Sequence, residues 1–222
     1  MLTVFAQCLR NDLKTLIRQP AQWLHPIAFF GLIVCLFGIG LGSDNTQLIQ
    51  LSPVIIWVAF LLTAIFTIET LFYRDYEEGV LEQWMVSPYP LWWLMLAKSL
   101  AFWLASCLPL IVMMPVLGFS LQLTGTQCLL LLISLLLGSP ALTFLGVIGA
   151  TLTLTVARSG VFLALLLLPL FVPILILGVS VVISLLAHEW PVFQMALLGG
   201  ISVLTMTFAP FAAAAALKVA IH

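Results

Sequence analysis

Apolar residues run almost uninterrupted over six successive stretches, 23–42, 53–73, 91–118, 128–157, 161–187 and 192–217. Each meets or exceeds the ~20 residues that carry a helix across a hydrocarbon core about 30 Å thick. Backbone inside lipid must satisfy its own N–H and C=O groups, so helices and closed barrels are the available spanning structures. A barrel strand alternates apolar and polar residues, and these stretches do not alternate. The sequence therefore specifies an all-α integral membrane protein with six transmembrane helices. Only 7% of its 222 residues are charged, against about a quarter in a soluble domain. Loops are short throughout, so residues 1–222 read as a single membrane domain.

The first nineteen residues differ. Leu2, Phe5, Leu9, Leu13, Leu16 and Ile17 recur at helical spacing, and Arg10, Lys14 and Arg18 fall four apart on another stripe. This pattern predicts an amphipathic helix over 1–19 lying in the membrane interface, its cations toward lipid phosphates. Pro20 and Pro26 argue against its continuing into the first span. The segment is too polar for the h-region of a cleaved leader. A six-span count puts all seven Lys and Arg on or beside one face: Arg10, Lys14, Arg18, Arg74, Lys98, Arg158 and Lys218. The positive-inside rule then places both termini in the cytoplasm. Lys98 is the outlier, some turns into the third span.

The stretch DYEEGVLEQWMVSPYP, 75–90, holds four of the eight acids: Asp75, Glu77, Glu78 and Glu82. Tyr76, Val80 and Trp84 lie four apart, flanked by Leu81 and Met85. Asp75, Glu78 and Glu82 form a second stripe. The pattern predicts one short amphipathic helix over 75–86, ended by Pro88 and Pro90. Its acids lie where the membrane surface is itself negative, so its expected neighbour is a protein and not lipid.

Catalytic motifs are absent from the sequence. A phosphate-binding loop needs GxxxxGK[ST], and none of Lys14, Lys98 or Lys218 follows a glycine. Paired carboxylates, metal-ligand spacings and nucleophile elbows are missing, as is any basic tract for nucleic acid. The expectation is a non-enzymatic subunit. Cys8, Cys35, Cys107 and Cys128 form no C-x-x-C and are expected as free thiols. Glu69 lies inside the second span. An intramembrane carboxylate is a functional expectation, although one turn from the cytoplasmic end it can also reach headgroup water. Pro169 and Pro173 predict a bend in span five. Gly138, Gly146 and Gly149, around Pro140, predict close helix approach in span four.

The run E-x-G-x-L-E-Q-x-x-x-[ST]-P from Glu77 to Pro88 resembles the cytoplasmic motif of type-2 ABC transporter permeases. Blocks LSPVIIWVAFLL (51–62), ETLFYRDYEEGVLEQWMVSPYP (69–90), LLGSPALTFLGVIGATLTL (136–154), LLLLPLFVPILI (165–176) and FAPFAAAAALKVAI (208–221) are together similar to the CcmB family. That family supplies the B subunit of a heme-exporter complex in cytochrome c maturation. The resemblance implies that 75–86 is a coupling helix docking into an ATPase subunit, with Asp75, Glu77, Glu78, Gly79, Leu81, Glu82, Gln83 and Pro88 as its contact pattern. Ser159 stands where the family often has a second glycine. Implied partners are a CcmA-like ATPase holding the ATP, CcmC-like and CcmD-like membrane subunits, a CcmE-like heme chaperone, and a second copy of the chain or a pseudo-symmetric equivalent. The implied location is the bacterial cell inner membrane, with heme as cargo. ATP-driven motion would either move heme through the permease or pry the loaded chaperone off the complex. His25 and His188 belong to opposite faces and cannot ligate one iron together, which favours the second mechanism. A permease for a polysaccharide or drug, or a non-transporting ATPase anchor, are the rival readings.

Overall fold

The structure, a computed structural model, describes residues 10, 20–41, 45–154, 159–186 and 190–221. Among these residues the regular structure is entirely helical: α1 (Pro20–Gly40), α2 (Asn45–Glu69), α3 (Tyr73–Glu77), α4 (Val80–Val86), α5 (Leu91–Phe102), a π-helical turn (Trp103–Cys107), α6 (Leu108–Ser120), α7 (Gly125–Thr153), α8 (Ser159–Leu186) and α9 (Val192–Ile221). Five stretches are long and apolar enough to cross a membrane: Leu48–Glu69, Leu91–Ser120, Gly125–Thr153, Gly160–Leu185 and Val192–Ala220. α1 adds the shorter apolar stretch Leu24–Gly40. The chain is a multi-pass membrane protein, with five full-length spans among the described residues where the sequence reading expected six. The amphipathic helix expected over 1–19, with Lys14 and Arg18, lies outside the described residues, apart from Arg10, which is exposed. Arg158, His188 and His222 lie outside them too.

Local chemistry sets the helix limits. Gln127 N–H donates to Thr124 Oγ1 at 3.5 Å and Thr124 N–H to Gln127 Oε1 at 2.9 Å. This reciprocal cap satisfies two orphan donors and starts α7 at Gly125, ahead of the expected 128. Pro109 has no N–H to continue an α-helical ladder. Just before it, Leu108 N–H reaches back five residues to the Trp103 carbonyl, which closes the π turn. α8 runs through Pro169 and Pro173 as one helix, so span five is continuous.

α2 and α7 form the centre. In their most apolar windows 72% and 67% of residues are buried, against 22% in α8 and in α9. α7 packs most extensively on α9 and α8. A polar seam fixes its inner face. The Trp57 indole N–H donates to Ser134 Oγ at 3.2 Å, and the Trp103 indole to Ser139 Oγ at 2.9 Å. Cys107 Sγ lies 3.3 Å from Thr143 Oγ1. Ser134 and Thr143 spend their own protons on Leu131 and Ser139 carbonyls, so their oxygens are left to accept. The Ser202 hydroxyl donates to the Leu137 carbonyl and ties α9 to α7. Such interhelical bonds average ~0.6 kcal/mol in a membrane, so they fix register more than stability.

Trp57 fits because two helices give way to it. A Cβ at Gly138 would meet the indole at 2.6 Å, and one at Gly178 would overlap the ring outright. Gly31, by contrast, faces open space. Overpacking costs roughly 1–3 kcal/mol, while replacing a mid-helix glycine by alanine gains up to about 1 kcal/mol in propensity. Thermal unfolding in detergent should therefore show Gly178→Ala destabilised and Gly31→Ala unchanged or stabilised. Equal shifts for both would refute this packing.

Candidate functional site

After α2 the chain turns through Thr70, Leu71 and Phe72, forms α3 and α4, and enters α5 behind Pro90. Leu71, Phe72 and Leu81 are buried, Phe72 and Leu81 to 1% exposure, and clip this segment onto the bundle. The single helix expected over 75–86 is two short helices. Gly79 sits between them in the left-handed region, φ +68°, a conformation glycine adopts without a Cβ penalty. α4 ends at Val86, where Ser87 is extended (φ −63°, ψ 143°), as the residue before Pro88 must tend to be.

The break sorts the acids. Asp75 turns inward, and its Oδ2 lies 2.6 Å from Lys98 Nζ on α5, with both side chains largely buried. Glu77, Glu78, Glu82, Gln83 and Pro88 are exposed, and Gly79 is half-buried between them. The expected stripe of Asp75, Glu78 and Glu82 is thus divided. So is the expected apolar stripe: Val80 and Trp84 are half-buried, whereas Tyr76 is exposed. Glu77 accepts the Tyr73 phenol and its charge adds to that hold, raising the phenol above its ordinary pKa. The outer surface combines three carboxylates with the exposed rings of Tyr73 and Tyr76. Sequence reasoning missed Lys98 as the inward partner, although a lone cation within an apolar span, 23 positions after a lone cluster of acids, was the available signal.

Glu69 lies apart from this surface. Its exposed carboxylate rests against Gly160 in the first turn of α8. A Cβ there would collide with it, and negative charge at a helix N-terminus is favourable. A groove between α1 and α2 opens at the same end of the bundle. It is lined by His25, Phe29, Thr63, Phe66, Thr67 and Thr70, with Pro26, and has a volume of about 460 Å³.

The family model described as "CcmB protein" matches residues 3–220. The chain belongs to the CcmB family. Its curated relatives include "Heme exporter protein B" of Pseudomonas aeruginosa, 41% identical over 100% of this chain and 99% of the relative. The protein of the same name from Haemophilus influenzae is 38% identical over 98% and 99%, and that from Escherichia coli K12 is 36% identical over 99% and 100%. Against this CcmB background, the Asp75–Lys98 pair joins the motif segment to the bundle.

Leaving one member of a buried pair alone is costly, about 3–5 kcal/mol when fully buried, and residual solvent contact reduces this. Asp75→Asn or Lys98→Met should each cost on the order of 1–3 kcal/mol, read as faster proteolysis at 75–90. The double variant D75N/K98M should recover most of the loss. A double variant as labile as the sum of the singles would contradict the pairing.

Proposed function

We propose that this chain is the six-span permease subunit of an ATP-driven complex for heme handling in cytochrome c-type biogenesis. Under this reading α1 supplies the sixth span, both termini are cytoplasmic, and the chain resides in the bacterial inner membrane. ATP hydrolysis belongs to a separate CcmA-like subunit. The remaining partners are CcmC-like and CcmD-like membrane subunits, a CcmE-like heme chaperone and a second copy of the chain.

The observation that carries the reading is the acid- and tyrosine-bearing surface of α3 and α4, anchored from beneath by Leu81 and by the ion pair to Lys98. A surface element that meets a moving partner must be held firmly at its back if it is to transmit force. Here the back is held by charge to α5, while the front offers Glu77, Glu78, Glu82 and Gln83. Displacement of α3 and α4 passes to α5, whose π turn at Trp103–Cys107 is a natural flexing point. The indole and thiol of that turn bear on Ser139 and Thr143 of α7, so movement reaches the central helix. We take the motion to serve heme delivery to a periplasmic chaperone and release of the loaded chaperone.

Replacing Glu82 and Gln83 together by alanine should abolish copurification of the ATPase subunit while leaving membrane insertion and thermal stability unchanged. Undiminished copurification would contradict the coupling assignment.

A further inference from the structure

We infer that the groove between α1 and α2 is a docking site for heme, with His25 as its single axial ligand. The inference rests on the heme-handling reading above and adds to it a site on this chain. The groove's walls are mainly apolar, and its volume of about 460 Å³ falls within the 300–1,000 Å³ usual for small-molecule sites. Phe29 of α1 and Phe66 of α2 stack across it, ring centroids 5.6 Å apart and planes 29° from parallel. They give it a flat aromatic flank. Both rings are exposed, Phe66 to 67%, and so is Leu62 one turn away. On a membrane-spanning helix these side chains meet the hydrocarbon, so a lipophilic disc can enter sideways from the bilayer.

The polar groups favour a metal centre over a phospholipid headgroup. Thr63 and Thr67 donate their hydroxyl protons to the carbonyls of Ala59 and Thr63, at 2.7 and 2.6 Å, and Thr70 donates to the Thr67 carbonyl at 2.8 Å. These threonines turn their donors away from a guest. Of the lining side chains, His25 alone offers a nitrogen. An imidazole nitrogen lone pair binds heme iron, as the proximal ligand of many haem proteins does, by displacing a water and without electron transfer. One ligand suffices. Cargo that must leave again is suited by a site that binds but does not trap, and a second axial ligand would tighten it. The pairing of His25 with His188 that the sequence rules out is therefore not required.

The test uses the full chain in nanodiscs titrated with ferric protoporphyrin IX, read by the Soret band. Wild type should show a shifted, histidine-ligated Soret absent from protein-free nanodiscs. His25→Ala should lose it, and His25→Gly should lose it until imidazole is added. Phe66→Ala should weaken binding, and His222→Ala should leave the shift intact. A Soret shift that survives His25→Ala, is not restored in His25→Gly by imidazole, or is matched by empty nanodiscs would overturn the site. In the same preparations His25→Ala should still capture the ATPase subunit. Loss of the heme signal with capture intact isolates the groove, whereas failure of wild type to capture the ATPase bears on the permease reading instead.

Discussion

Lys98 lies seven residues into α5, about 10 Å along the helix, in a span otherwise composed of apolar and small residues. Removing an ammonium group from water costs several kcal/mol unless a counter-charge meets it. Asp75, at 2.6 Å, is that counter-charge. The rest of this end of the bundle follows from the pairing. α3 must lie close enough to α5 for a short carboxylate to reach in. Leu81 then buries itself beneath α4, and Gly79 takes the left-handed turn that lets the remaining acids point outward. An oily chain thus keeps an acidic surface in a fixed position at one end of its bundle.

The interior supplies the complementary property. The α5–α6 span is interrupted at Trp103–Cys107, and the first and last residues of that interruption each contact α7, at Ser139 and Thr143. The soft point of the span is thereby pinned to the most central helix. α7 in turn receives Trp57 from α2 at Ser134 and Gly138. Under the coupling proposed above, a shift at Asp75 and Lys98 passes through these hydrogen-bonded groups, and glycines at the helix crossings bring the backbones close.

Much of this was legible in the sequence. Continuous apolar runs identified the helices, since a lipid-exposed backbone must satisfy its own polar groups, and the acidity of 75–90 marked a surface segment distinct from the spans. The start of α7 is expected three residues late, at 128, although Thr124 followed three residues later by Gln127 is a capping signal. The break at Gly79 was harder: the residues around it repeat at helical spacing on both sides, and only a positive φ shows that the two halves are rotated. The Asp75–Lys98 pair joins different elements and has no local signature. The same holds for the groove, whose aromatic flank needs Phe29 and Phe66 from separate helices. At Pro169 and Pro173 α8 runs on as one helix, as membrane helices can when neighbouring groups satisfy the carbonyls that the prolines free.

Under the proposed function, the charged surface element that Lys98 fixes to the membrane bundle is where a separate ATPase takes hold. Photo-crosslinking in intact membranes addresses it directly, with a photoreactive side chain at Glu82 and, for comparison, at Val192, which is exposed at the far end of α9. The account predicts an adduct with the ATPase subunit from position 82 and none from position 192. No adduct from 82, or one from 192, would contradict it.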